Sequence, residues 1–245
     1  YWGLAPVITA NVESVEIVRG PGGATFGANA MLGVINVTSR EIAPDDEART
    51  MAWVRAGAPL MTDATVVTEN RTASAAWRIS AEYLGDEGVN EDANPDDYDK
   101  SGTFGAELEL PAGMDATLKV AGHLRMTTFD RAEPIPWLVG ENDTYFSIFN
   151  VKYEKKLQSG SMLVQASNSI MTSDAEDGNS YRSQNDEFRV QMSQRAGEKN
   201  KLVYGATARA YSSSDDFITE GDGKYDGSIA SVFLQDTISV SDELT

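Results

Sequence analysis

Ala116-Thr117-Leu118-Lys119-Val120-Ala121-Gly122-His123-Leu124-Arg125-Met126-Thr127-Thr128 is the stretch on which the fold class turns. From Ala116 to Met126 the even positions read Ala, Leu, Val, Gly, Leu, Met, and the odd positions between them read Thr, Lys, Ala, His, Arg. Successive side chains of a β-strand point to opposite faces, so this segment is a strand with one apolar face and one charged face. The same rhythm recurs on both sides. Trp77, Ile79, Ala81 and Tyr83 alternate with Arg78, Ser80 and Glu82. Phe104, Ala106, Leu108 and Leu110 alternate with Gly105, Glu107 and Glu109, and Phe188, Val190 and Met192 with Glu187, Arg189, Gln191 and Ser193.

Working outward, the pattern predicts about ten strands, near 49–57, 63–71, 74–85, 98–110, 115–129, 144–157, 161–173, 182–196, 201–214 and 228–240. They run roughly nine to fifteen residues, longer than the roughly five or six usual in globular proteins and enough for the roughly nine to eleven that a tilted membrane strand needs. Short connections at 72–73, 111–114, 158–160 and 197–200 alternate with longer ones at 86–97, 130–143, 174–181 and 215–227; an early slot at 58–62 is shorter. An up-and-down membrane barrel sorts its loops in this way. Trp53, Trp77, Tyr83, Phe104, Tyr145, Tyr153 and Tyr204 are candidates for its interfacial aromatic girdles. No run of about eighteen apolar residues is present for a transmembrane helix. The hydrophobic content of 41% argues against a disordered chain. The formal net charge of −18 argues against a nucleic-acid partner. With zero cysteines there are no disulfides and no thiolate metal sites.

The first 42 residues differ in texture. They are rich in Gly, Val and Ile, and a polar linker at 43–48 containing Pro44 separates them from the strands. Their centre reads Val12-Glu13-Ser14-Val15-Glu16-Ile17-Val18-Arg19-Gly20-Pro21-Gly22-Gly23-Ala24-Thr25-Phe26-Gly27-Ala28-Asn29-Ala30, followed by Met31-Leu32-Gly33-Val34-Ile35-Asn36-Val37-Thr38-Ser39-Arg40. Val15–Val18 forms a short strand, Gly20 permits a sharp exit, Pro21 suits the first position of a helical turn, and Gly27 suits its left-handed end. Val34, Ile35 and Val37 form a second strand. A phosphate-binding loop is excluded, because the run lacks both Gly-x-x-x-x-Gly-Lys-Ser/Thr and Gly-x-Gly-x-x-Gly.

This run resembles the end of the plug domain of TonB-dependent outer-membrane receptors. The matching residues are Val12-Glu13, Val15-Glu16-Ile17, Arg19-Gly20-Pro21, Phe26-Gly27, Ala30, Gly33-Val34-Ile35-Asn36 and Arg40. Val stands for Ile at 12 and 15, and Phe26 for the commoner Tyr. Phe233-Leu234-Gln235-Asp236 with Ser241–Thr245 resembles a barrel hairpin of the same family. The resemblance implies a mainly β architecture: residues 1–42 as the C-terminal part of a small α/β plug, 43–48 as linker, and 49–245 as the first part of an antiparallel transmembrane barrel of about twenty-two strands. It implies an internal piece of a longer chain, with a signal peptide and a TonB-binding box upstream of Tyr1. It also implies a Gram-negative outer-membrane transporter for a ferric siderophore, haem or cobalamin, whose plug gates the barrel and is remodelled by TonB. Arg19, Gly20, Pro21, Gly27, Gly33 and Asn36 are then plug-motif residues, with Arg19 as a latch to barrel glutamates.

Other chemistry finds little support. His123, the one histidine, falls on the polar face with Lys119 and Arg125 and has no second His or Cys to share a metal. No nucleophile motif accompanies it, so neither enzyme activity nor a cofactor is expected. The acidic loops, Asp86 to Asp99, Asp174 to Asn179 and Glu220 to Asp226, lack the EF-hand spacing and read as solvated loops. Trp137, with Pro134 and Pro136, sits in a long loop, where it contacts either a ligand or its own neighbours. The competing functions are a passive porin-like barrel, which would lack the run at 12–40, and a soluble all-β binding protein, which would bury its apolar faces.

Overall fold

The computed structural model describes residues 4–20, 33–43, 47–57, 61–86, 98–131, 140–176, 178–197, 199–216 and 223–238. Predictions that fall elsewhere, including Pro21, Gly27, Pro44, Trp137, the centres of three long loops and the end of the C-terminal hairpin, lie outside the described residues.

Two sheets are present. β1 (Val12–Arg19) and β2 (Gly33–Ser39) form an antiparallel pair with Ile17 opposite Ile35 and Glu16 opposite Asn36. The strand–turn–strand reading of this run is therefore met at both strands. The second sheet holds ten strands in strict sequence order: β3 (Arg49–Gly57), β4 (Met61–Arg71), β5 (Ala76–Asp86), β6 (Tyr98–Pro111), β7 (Ala116–Arg131), β8 (Gly140–Leu157), β9 (Gly160–Ala175), β10 (Ser180–Ala196), β11 (Asn200–Asp215) and β12 (Lys224–Ile238). Every neighbour pair is antiparallel, and β3 and β12 remain as edges. This is the architecture of a barrel that is not closed.

The sheet is inverted relative to a soluble protein. On β5 the side chains of Arg78, Ser80 and Glu82 are buried while Ile79 and Tyr83 are exposed. Phe104, Leu108, Leu124, Met126, Tyr145, Phe149, Phe188, Val232 and Leu234 are likewise exposed. Directly paired residues place Trp77, Leu108, Val120, Val151, Ala166, Phe188, Ala208 and Ala230 in one unbroken apolar row on that outer face. The row through Val66, Ala81, Phe104 and Leu124 starts apolar but reaches Gln184 on β10. The apolar band thus slopes across the hydrogen-bonded rows, as tilted membrane strands require. No helix among the described residues is long and apolar enough to cross a membrane.

Two expectations need correction. Trp53 is not a girdle residue. It lies opposite Thr65, which is 4% exposed and faces inward with Val67 and Glu69, so its ring belongs to the inner wall. The strands also run further than predicted toward the long loops. The pairing Phe129–Asn142 and Asp130–Glu141 extends β7 and β8 into what the polar composition marked as loop, and β9 and β10 are joined by only Glu176–Asn179. Polar side chains on both faces end the apolar signal, but backbone pairing continues wherever both strands are present; the hydroxyl of Thr128 donates to Asp143 across this extension at 2.6 Å.

Candidate functional site

Two pieces of the N-terminal region, Leu4–Asn11 and Arg40–Ala43, lie against the inner face of β4–β6. They are tied together by the Arg40 amide donating to the Asn11 carbonyl at 2.8 Å and the Arg40 guanidinium donating to the Ala10 carbonyl at 2.9 Å. A 3-10 turn at Thr9–Asn11 delivers Asn11 to the wall. There the Asn11 amide donates to Ser80 Oγ at 2.8 Å and to Glu107 Oε1 at 3.4 Å, and the Thr9 backbone amide donates to Glu82 at 3.2 Å. Apolar contact is minor: Ile42, Ala43 and Ala76 form a small buried cluster, and Leu4, Ile8 and Val67 are buried nearby.

Charge dominates the contact. Glu69 on β4 has a fully buried side chain and receives three guanidinium groups: Arg40 at 2.9 Å, Arg49 at 2.5 Å and Arg78 at 2.8 Å. Arg78, also fully buried, continues to Glu107 at 3.3 Å and donates to the backbone carbonyls of Arg40 and Glu41 at 3.2 and 2.7 Å. Arg71 donates to the Ile42 carbonyl at 2.9 Å and pairs with Glu41 at 3.4 Å and Glu109 at 3.3 Å; Glu109 also meets Lys119 at 3.1 Å. Buried charges of this kind persist only when they are paired and their remaining hydrogen-bonding positions are filled. Here the wall arginines bind peptide carbonyls of the N-terminal region as well as carboxylates, so the network is what joins the two parts. Toward the long-loop end, Arg125 is buried and donates to Ser101 Oγ at 2.7 Å and to Thr127 at 3.3 Å.

His123 faces inward, as predicted, with Nε2 3.9 Å from Glu107. Gly105 opposite it has no side chain because the imidazole occupies that space: a Cβ there would sit 2.6 Å from His123 Cδ2. Of the plug-motif residues, Arg19 ends β1 exposed, opposite Gly33, and forms no ion pair among the described residues. Gly20 takes φ +94°, the left-handed geometry that the sharp exit requires. A Cβ on Gly33 would meet the Val18 carbonyl at 2.6 Å. Asn36 donates to Glu16 at 3.2 Å on the exposed side of the hairpin. None of these reaches the wall network. The motif residue that does is Arg40, which meets Glu69 and Arg78; these two, and Arg71 and Glu107 beside them in the network, carry no motif. Their signal was positional, as charged residues two apart on the polar face of consecutive strands.

Between the β1–β2 hairpin and the wall of β6–β9 lies an open groove of about 720 Å³, lined by Glu13, Asn36, Lys119, Asn150, Lys152 and Gln165 among others. No group of three or more metal-ligating side chains occurs among the described residues.

No family model matches the sequence, and no curated protein matches it. Solved structures do. The siderophore receptor PirA from Pseudomonas aeruginosa superposes with TM-score 0.77 at 15% identity over 94% of this chain and 41% of its own. PirA from Acinetobacter baumannii gives 0.77 at 16% identity over 95% and 42%. The FrpB iron transporter of Neisseria meningitidis gives 0.73 at 15% identity over 86% and 37%. The chain therefore has a TonB-dependent receptor-like fold, and it spans about two fifths of the length of these structures.

Proposed function

We propose that this chain is part of a TonB-dependent outer-membrane receptor of a Gram-negative bacterium that imports a ferric siderophore. In this reading residues 1–42 are the end of the plug, 43–48 the linker and 49–245 the first part of the barrel; TonB is the energy-coupling partner and the chain is not an enzyme. The observation that carries the reading is the inverted burial. Glu69 and Arg78 are fully enclosed on the concave side while Ile79 and Phe104 stand 44% and 50% exposed on the other. Water would reject such a surface and hydrocarbon would not. A passive pore is disfavoured by the same site, since a segment is held by Glu69, Arg71 and Arg78 against the lumen side of β4 and β5. A soluble binding protein is disfavoured by the apolar row from Trp77 to Ala230, which nothing among the described residues covers.

The ligand class is supported by the fold likeness to receptors described as siderophore and iron receptors, and haem and cobalamin stay as alternatives within the same mechanism. An ionic contact suits a gate, because its groups can exchange partners with water as they separate, whereas an apolar core resists stepwise opening. Arg19, exposed at the tip of β1, fits a latch to glutamates in barrel strands beyond this segment. The test is growth of a deletion strain on ferric siderophores as the sole iron source, with and without a functional TonB. Rescue that requires TonB is the expected result; iron-independent growth defects or TonB-independent rescue would overturn the reading.

A further inference from the structure

Charged side chains gather at both ends of the large sheet. At the long-loop end of the outer face Asp143, Asp174, Asp186 and Asp226 are exposed together with Lys100, Arg182 and Lys224, so the two signs are mixed there, and Asp143 stands directly opposite Asp174. At the opposite end, two neighbouring short turns gather Lys155, Lys156, Arg195, Lys199 and Lys201, all exposed. The turns are joined, since the Arg195 amide donates to the Ser159 carbonyl at 2.8 Å. Arg195 also faces Lys201 directly across the β10–β11 ladder, a like-charge pairing that costs stability unless an anion lies between or near the two. None of the five cations forms an ion pair among the described residues. The nearby carboxylate of Glu154 is engaged by Lys152 at 2.9 Å, and Glu198 in the same turn lies outside the described residues. Within a chain of net charge −18 these five cations lie together without an ion-pair partner among the described residues, although Asp115 and Asp236 are exposed at the same end.

The depth of the group identifies its partner. Lys155 is in register with Ala116 and Met162 on the outer face, one step beyond Tyr153 and Val164, so the apolar surface runs almost to the turns. Lys155 leaves the outer face itself and Lys199 the turn. Lys156, Arg195 and Lys201 start from inward positions at the strand tips, where long stems can curl over a wall one strand thick. Such a rim sits at the level of lipid headgroups, where anionic lipids attract Lys and Arg. We propose that the turns β8–β9 and β10–β11 form a binding surface for anionic phospholipid headgroups in the leaflet they touch. The surface holds the short-turn end of the wall at a fixed depth. This inference rests on the membrane-barrel reading.

The test uses the full-length receptor in bilayer nanodiscs of phosphatidylcholine, with and without phosphatidylglycerol, reading co-purified lipid by native mass spectrometry. The native protein is expected to retain phosphatidylglycerol in several-fold preference over phosphatidylcholine, with the preference falling as salt is raised. The variant carrying Lys155→Gln, Lys156→Gln, Arg195→Gln, Lys199→Gln and Lys201→Gln should lose the preference. If that variant does not fold, Lys155→Gln with Lys199→Gln is expected to halve it or more. Equal retention of both lipids by the native protein, or an undiminished preference in the variants, overturns the proposal, including in favour of an acidic protein as the true partner. Failure to enter either bilayer overturns the membrane reading instead.

Discussion

Glu69 is the residue on which the N-terminal region depends. Its two carboxylate oxygens accept from Arg40, Arg49 and Arg78, and only Arg40 comes from the N-terminal region, so one side chain couples that region to two wall strands. Glu69→Gln keeps the shape and removes the charge, leaving three guanidinium groups around a neutral amide. Breaking a buried pair from one side typically costs about 3–5 kcal/mol, and we expect a loss of that order in the full-length receptor, measured by thermal unfolding in detergent, with earlier proteolysis of residues 1–42. Arg19→Ala probes a different contact. As a latch to later barrel strands, its loss should reduce transport and loosen the plug while leaving the Glu69 network intact; unchanged uptake and unchanged plug protection from protease would remove the latch. At this scale the sequence was only half legible. Arg40 was visible as the last residue of a motif, but no motif distinguishes Glu69 from any other acidic residue on a polar strand face, because its importance comes from the three strands and one segment that converge on it.

The elements were far more legible than the site. All ten strands of the large sheet were marked by alternation, since the period of two is imposed by the backbone whatever lies on either side. What alternation cannot say is which face is inside. Trp53 shows the failure: an aromatic ring beside Val54 and Ala52 reads as membrane girdle, yet register with Thr65 turns it inward while Val54 stands 73% exposed. Trp77, paired with Asn70 and Leu108, turns outward. The two can be separated by fluorescence. In single-tryptophan variants of the full-length receptor reconstituted with brominated lipid, Trp77 emission should be strongly quenched and that of Trp53 should not. Equal quenching would mean that β3 is out of register with β4, and the pairing of Arg49 with Glu69 would then be lost as well. The strand ends were misread for a related reason. Alternation marked 13 to 15 residues for these strands, whereas β7 to β11 run 16 to 18 residues because backbone pairing continues after the apolar signal ends.

For the whole molecule, the governing fact is that the sheet has two free edges. β3 and β12 each have a strand neighbour on one side only among the described residues. In water the amides and carbonyls of an open edge are solvated, but within a bilayer each unsatisfied group costs several kcal/mol, which is why membrane sheets close. The interior poses the complementary problem. The inner wall carries Glu69, Arg78, Glu107, Arg125, Glu187 and Arg209, with Arg209 paired to Glu187, and these charges need either water or a polar plug beside them. Curling the ten strands tightly enough to join β3 to β12 would leave no room for Leu4–Asn11 and Arg40–Ala43, which hold the Glu69 network together. The lumen-side contacts and the lipid-side edges therefore demand the same thing, a larger ring than these strands supply. We expect the isolated 245-residue chain to fail to insert into lipid vesicles and to lack the heat-modifiable mobility of a closed barrel on detergent gels, while the full-length receptor shows both. A heat-resistant, membrane-inserted form of the isolated chain would mean that the edges find partners in another copy, and the contacts of the N-terminal region at Glu69 would then have to be rebuilt around a second subunit.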